Sequence, residues 1–129
     1  MAEARGIALT AQTAENAIVR GSRGDLKRAL ANLVANALQH TPKGGYVQVR
    51  VTSVREAIEV IVSDDGFGVD PSARGALFQR FSTASRAGGG TGLGLYIVRR
   101  IAEENGGAVR YEPREPRGSA FTMALPKAR

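Results

Sequence analysis

Glycine at positions 88, 89, 90, 92 and 94 makes one short segment of this chain unfit for the interior of a helix or a strand, because glycine gives up more backbone freedom on ordering than any other residue. The segment leads straight into Leu95, Val98, Ile101 and Ala102, which recur with the spacing of one helix face. A glycine-rich loop that opens into a helix offers free backbone N–H groups and the positive end of a helix dipole, which together suit an anion. A flexible linker is the plainer reading, and the immediate entry into a periodic helix argues against it. The pattern is not a dinucleotide fingerprint, since the third glycine of G-x-G-x-x-G is missing after Gly90-Thr91-Gly92 and no strand precedes it. No Gly-Lys-Ser/Thr occurs, so it is not a Walker loop, and the protein-kinase set of motifs is absent.

The rest of the chain reads as two further blocks. Residues 6–9 and 17–20 are short apolar stretches that read as strands. Asp25 is placed as a helix N-cap, and Leu26, Leu30, Leu33, Val34, Ala37 and Leu38 follow with helical spacing up to Thr41-Pro42. Val47, Val49 and Val51 alternate with polar neighbours, as do Ile58, Val60 and Val62, and Arg55-Glu56 between them predicts a hairpin. A short helix is expected around Pro71–Ala76. After the second long helix, Gly106-Gly107 is a C-terminal stop, and strands are expected at 108–112 and 119–125. This order predicts an α+β fold, a two-layer α/β sandwich whose mixed, mostly antiparallel sheet is covered on one face by helices.

Composition narrows the function. The 129 residues suit one domain, 1–129, with a real core. There is no cysteine and a single histidine, which excludes disulfides, thiolate metal sites and His-based zinc. No apolar run approaches the roughly 20 residues needed to span a bilayer, and no secretory signal is read at the N-terminus. A cytoplasmic setting without membrane contact is expected. The net charge of +6 favours anionic partners. The basic residues are scattered, however, and aromatics are only 5%, so stacking platforms for nucleic acid are scarce and nucleic-acid binding is not expected.

Two further constellations carry chemistry. Asn32, Asn36 and His40 are spaced i, i+4, i+8 and form one stripe on the first helix. Its centre lies roughly 120° from the apolar face, on the flank between core and solvent. Asn amides hold phosphate oxygens or a hydrated Mg²⁺ without adding charge, and this hard cation prefers oxygen donors. Polar residues flank any amphipathic helix, so the stripe alone decides nothing. In Asp64-Asp65-Gly66-Phe67-Gly68 a strand ends in a carboxylate followed by alternate glycines. Such a carboxylate can accept a hydrogen bond from an exocyclic amine, which adenine carries at its six-position and guanine does not. An ordinary Asp/Gly turn is the competing reading; an EF-hand is excluded by the acidic spacing.

In order along the chain, these elements resemble the boxes of bacterial sensor histidine kinases. Asn32 to Ala37, continuing to His40-Thr41-Pro42, resembles the N box. Asp64 to Gly68 resembles the G1 box, Phe78-Gln79-Arg80-Phe81 the F box, and Gly90 to Leu95 the G2 box. The resemblance covers nearly the whole chain and implies the ATP-binding catalytic domain of such a kinase, with a Bergerat-type fold and a lid at about Ser82–Gly90. It implies that Asn36 binds Mg²⁺, that Asn32 helps hold the phosphates and that His40 lies near phosphates or ribose. Asp64 would accept from adenine while Gly66 and Gly68 let the backbone pass the base. Phe78 and Phe81 would anchor the lid, and also pack. Arg80 would reach phosphate or a partner domain, with Arg86 as a further phosphate contact. Gly90, Thr91, Gly92, Leu93, Gly94 and Leu95 would wrap the phosphates.

Other ATPases of that superfamily place a water-activating glutamate four residues before the Mg²⁺ asparagine. Here that residue is Asn32, and an amide is no general base. Slow hydrolysis and transfer to a separate nucleophile are therefore expected. The partner would be a histidine-bearing dimerisation domain, absent from this sequence, and a response regulator would be reached indirectly. The chain alone is expected to be a monomer that binds ATP with Mg²⁺ and transfers little. An anti-sigma-factor serine kinase of the same superfamily and a basic nucleic-acid module are the alternatives.

Overall fold

Alternating valines and isoleucines build the centre of a sheet that the computed structural model describes together with its helices over residues 6–13, 23–81 and 92–127. The strands are β1 (Ala8–Thr13), β2 (Tyr46–Val54), β3 (Ala57–Asp64), β4 (Ala108–Pro113) and β5 (Ser119–Pro126). Among the described residues they form one sheet in the order β1-β2-β3-β5-β4. β1 runs parallel to β2, and every other neighbouring pair is antiparallel. The helices are α1 (Arg23–His40) and α2 (Gly94–Glu104), with a short 3₁₀ helix at Pro71–Ala76. The expected α+β class is the one adopted.

The register lines up side chains across strands, because residues two apart on a strand share a face. Val49 pairs with Val62, Val62 with Phe121 and Phe121 with Tyr111, giving one continuous apolar row. Val51, Val60, Met123 and Val109 make the next row. These rows face α1 and α2, which bury Ala29, Leu33, Ala37 and Leu38 from one helix and Leu95, Val98, Ile101 and Ala102 from the other. Phe121 sits where the layers meet. Its ring is edge-on to Phe78 at 6.1 Å and tilted against Tyr111 at 5.2 Å, geometries that aromatic quadrupoles favour.

Both helix stops follow from local chemistry. α1 ends at His40, the Thr41 hydroxyl donates to the Ala37 carbonyl at 2.7 Å, and Pro42 follows. α2 ends in a left-handed Gly106 with φ of 81°. The Gly106 N–H donates to Glu103 O at 3.1 Å and the Gly107 N–H to Ala102 O at 2.8 Å, the paired bonds of a Schellman motif. No helix among the described residues is long and apolar enough to cross a membrane.

Three expectations change. α1 starts at Arg23, so Asp25 lies inside the first turn rather than at the N-cap, where its charge still favours the helix dipole. The first strand runs Ala8–Thr13, not 6–9, because parallel pairing with β2 carries it through polar Thr10 and Gln12. Phe81 does not pack into the core. It is 55% exposed with φ of 58°, its N–H donates to Gly92 O at 2.6 Å, and its ring lies 5.5 Å from the Arg80 guanidinium. The stretch 17–20 lies outside the described residues.

Phe121→Ala is expected to cost about 3–5 kcal/mol of stability in urea unfolding, since it empties a junction of three elements. Phe81→Ala is expected to change stability by no more than about 0.5 kcal/mol, as its ring is mostly in water.

Candidate functional site

The last residue of β3 takes a carboxylate into the protein. Asp64 stands between Val47 and Ser119 in the register and is 1% exposed. One carboxylate oxygen accepts the Gly66 N–H at 2.8 Å. The other, Oδ2, is buried without a hydrogen-bond partner. Burial pushes the Asp64 carboxyl above its usual range. The Gly66 N–H, the His40 and Arg114 charges and the Ser119 backbone pull against that rise without cancelling it. A buried acceptor left half satisfied is costly, and such a group in a cleft is a mark of function.

The turn after Asp64 is fixed by the end of α1. The Phe67 N–H donates to the His40 carbonyl at 3.3 Å, which satisfies one of the orphan carbonyls of a helix terminus. A Cβ on Gly66 would collide with that carbonyl, so only glycine lets the two segments meet. Gly68, with φ of 77°, completes the turn. In the connection between β4 and β5, a Cβ on Gly118 would strike the Asp64 carbonyl, and Arg114 Nη1 donates to the same oxygen at 3.1 Å.

α1 supplies the facing wall. Asn36 is 7% exposed and its Nδ2 has no partner. The stripe therefore sits deeper at Asn36 than at half-buried Asn32 and His40. His40 Nδ1 lies 2.9 Å from the Asn36 carbonyl, which makes that nitrogen the donor and leaves Nε2 for a ligand. Asn32 Nδ2 reaches the Gly94 carbonyl at 3.5 Å, a weak tie from α1 to the first residue of α2. The N-terminus of α2 has no side-chain cap at Leu93, and the positive end of its dipole favours an anion. Leu95 is buried in the core and can meet a ligand only through its backbone.

The structure thus brings His40 to Asp64 and Gly66 and Asn32 to Gly94, with Asn36 between Asn32 and His40 on the same helix; Gly68 follows in the turn after Asp64, and Gly92 and Leu93 lead into α2. Phe78 is partly buried under Phe121, and Arg80 lies 5.7 Å from the Tyr96 ring. Arg86, Gly90 and Thr91 lie outside the described residues. Sequence reasoning missed Thr41, Gly118, Ser119 and Arg114. The signal for Gly118-Ser119 was a glycine immediately before an alternating strand; nothing local singles out Arg114. Among the described residues, no group of three or more His, Cys, Asp or Glu side chains could hold a metal. Asn36 fits a cation that arrives with its own oxygens, because an amide flip presents Oδ1 where Nδ2 now lacks a partner.

An open mixed sheet with helices on one face, and this wall of amides, glycines and one carboxylate, has the fold of histidine kinase catalytic domains. The solved mycobacterial sensor histidine kinase MprB matches with TM-score 0.83 and 32% identity, over 97% of this chain and 87% of that one. Histidine kinase ThkA, solved in complex with response regulator protein TrrA, matches with TM-score 0.80 and 27% identity, over 98% of this chain and 36% of that one. In sequence, the sensor-like histidine kinase SenX3 of Mycobacterium tuberculosis is 40% identical over 115 residues, 86% of this chain and 28% of that protein. The family described as histidine kinase-, DNA gyrase B- and HSP90-like ATPase matches residues 21–129. The chain belongs to that family, and it spans little more than a quarter of SenX3.

Asp64→Asn is expected to stabilise the nucleotide-free domain. The raised pKa means that the folded state binds the proton more tightly than the unfolded chain does. That contribution is full below the unfolded pKa and is lost as pH rises through the folded one. By about pH 7 that contribution has fallen, and Asn removes the titrating group while keeping an acceptor for the Gly66 N–H. Thermal melts should show a rise of a few degrees at about pH 7, shrinking towards pH 4.

Proposed function

We propose that this chain binds ATP with Mg²⁺ and presents the γ-phosphate to a histidine on a separate helical dimerisation domain, as the catalytic part of a two-component sensor kinase. The observation that carries this reading is that Asp64 Oδ2 and Asn36 Nδ2 are two of the three buried side-chain polar atoms without a hydrogen-bond partner among the described residues. Adenine's exocyclic amine answers the first, and a metal-bound triphosphate answers the second after the amide flip. Gly66 and Gly68 lie along the base. The α2 N-terminus, with Thr91, Gly90 and Arg86 before it, takes the phosphates, and Asn32 braces that end through Gly94. Mg²⁺ held by Asn36 and the phosphates would neutralise charge during transfer.

His40 has its Nδ1 engaged with its own helix, so its contribution to the ligand is an Nε2 contact near the phosphates or ribose. Arg80, between the Phe81 and Tyr96 rings, is preorganised to meet phosphate or the dimerisation domain, and exposed Phe81 marks the same docking edge. Asn32 cannot activate water, so transfer to the histidine outruns hydrolysis. A response regulator would then receive the phosphate from that histidine. In the cell this domain works on the cytoplasmic side, whether or not its parent is anchored in the membrane.

Calorimetry with ATP, ADP and GTP tests the reading. Adenine nucleotides should bind at least about tenfold more tightly than GTP, the worth of one charge-assisted hydrogen bond. Asp64→Asn should lose that preference, and Asn36→Ala should lose the Mg²⁺-dependent part. A folded sample that ignores adenine nucleotides would overturn the proposal. With a dimerisation domain added, acid-labile phosphoprotein is expected; an acid-stable product would point to transfer to serine instead.

A further inference from the structure

A second cleft opens on the other side of the turn at Gly66–Gly68, between the 3₁₀ helix and the β4–β5 connection. Its volume is about 360 Å³, within the range of roughly 300–1,000 Å³ usual for small-molecule sites. Its walls include Phe67, Arg74, Tyr111, Arg114, Pro116 and Arg117. None of Asn32, Asn36, His40 or Asp64 lines it, while Gly68 and Gly118 do, so it backs onto the cleft against α1 across the turn they share.

Three arginines line this space, and the guanidinium groups of two of them are held in place. Arg74 Nε donates to the Val69 carbonyl at 3.2 Å, and its guanidinium lies 5.6 Å from the Tyr111 ring centre. Arg114 Nη1 donates to the Asp64 carbonyl at 3.1 Å, and its guanidinium lies 5.6 Å from the Tyr46 ring centre. Each of these two therefore uses one donor and one face on the protein and keeps other N–H groups free. Among the described residues, none of the three arginines makes a close ion pair, whereas Arg110 is paired with Glu59 and Glu112; Arg74 and Arg114 act at longer range, pulling the Asp70 and Asp64 carboxyls down. Of the two acidic residues on the rim, Asp70 is engaged through Oδ1, which accepts from the Ser72 N–H at 2.9 Å and the Ser72 hydroxyl at 2.8 Å. Glu115 is the other. The cleft thus carries a net positive charge with fixed donors, which suits the planar or tetrahedral oxygens of an oxyanion.

The remaining wall is apolar. Phe67 is 72% exposed at the rim, and Pro71, Pro113 and Pro116 lie around it. An exposed aromatic ring beside arginines without a close ion pair fits a ligand with an anionic head and a flat or apolar body. We propose that this cleft is a second ligand site, for a small organic oxyanion, a carboxylate or phosphate ester carrying an aromatic or aliphatic group.

Phenyl phosphate and inorganic phosphate are the probes, followed by amide NMR of the isotope-labelled chain. Phenyl phosphate should shift the amides of Phe67–Asp70 and Arg114–Gly118 saturably and bind several-fold more tightly than inorganic phosphate, since only its ring meets Phe67. Arg117→Gln, a change on an exposed connection, should weaken binding about tenfold or more, the worth of one charge-assisted hydrogen bond, and should leave ADP binding unchanged. The shifts should persist with ADP present. Shifts that do not saturate, that are the same in Arg117→Gln, or that fall only on α1 and Gly92–Leu95 would overturn the proposal. They would mean an adventitious ion or occupation of the cleft against α1. Because the readout needs no nucleotide, failure of ATP binding would leave this test intact.

Discussion

A carboxylate taken out of water at the end of a β-strand holds a charge that the fold alone does not satisfy. Asp64 keeps one oxygen on the Gly66 N–H and leaves the other bare, at a depth where desolvation lifts its pKa. The surroundings are built around that arrangement. Gly66 is small enough for the turn to press on the His40 carbonyl, Gly118 is small enough for β5 to pass the Asp64 carbonyl, and Arg114 ties that carbonyl down. Any larger residue at either glycine would move the carboxylate. The domain carries this local cost in its native state, a pattern expected where a site rather than stability has set the residue.

The same logic joins the two helices to the site. α1 buries one face in the core through Ala29, Leu33 and Ala37 and turns Asn36 inward beside it. Its last carbonyl is capped by the turn after β3, not by solvent. α2 begins without a side-chain cap and is tied to α1 through Asn32 and Gly94. The hydrogen bond from the Phe81 N–H to Gly92 O joins the two ends of the span that separates them. Base end, metal end and phosphate end of the proposed nucleotide are thereby referred to one rigid layer, which is the kind of preorganisation that positioning chemistry needs.

Much of this was legible in the sequence because it depends on local periodicity. The alternation in Val47–Val51 and Ile58–Val62, the helix spacing at Leu95–Ala102 and the Gly106-Gly107 stop each act over a few residues. Asn36 and Asp64 stood out because an amide stripe and a strand-ending carboxylate are unusual in their contexts. Gly118, Ser119 and Arg114 were not visible, because only the pairing of β3 with β5 brings them to Asp64. Phe81 looked like core because it is aromatic, and its positive φ, which turns the ring outward, has no signature in a non-glycine residue. Asp25 was misplaced because helix starts depend on residues before the apolar stripe, which carry little pattern.

A pH titration of the Asp64 carboxyl carbon by NMR, without and with saturating ADP, probes the bare oxygen itself. Without nucleotide the pKa should lie above the ordinary aspartate range. With ADP it should fall, because an amine donating to the free oxygen favours the ionised form and a residue already 1% exposed has little water left to lose. An ordinary pKa that ADP does not move would contradict the account, since Asp64 would then be neither desolvated nor the acceptor of the base.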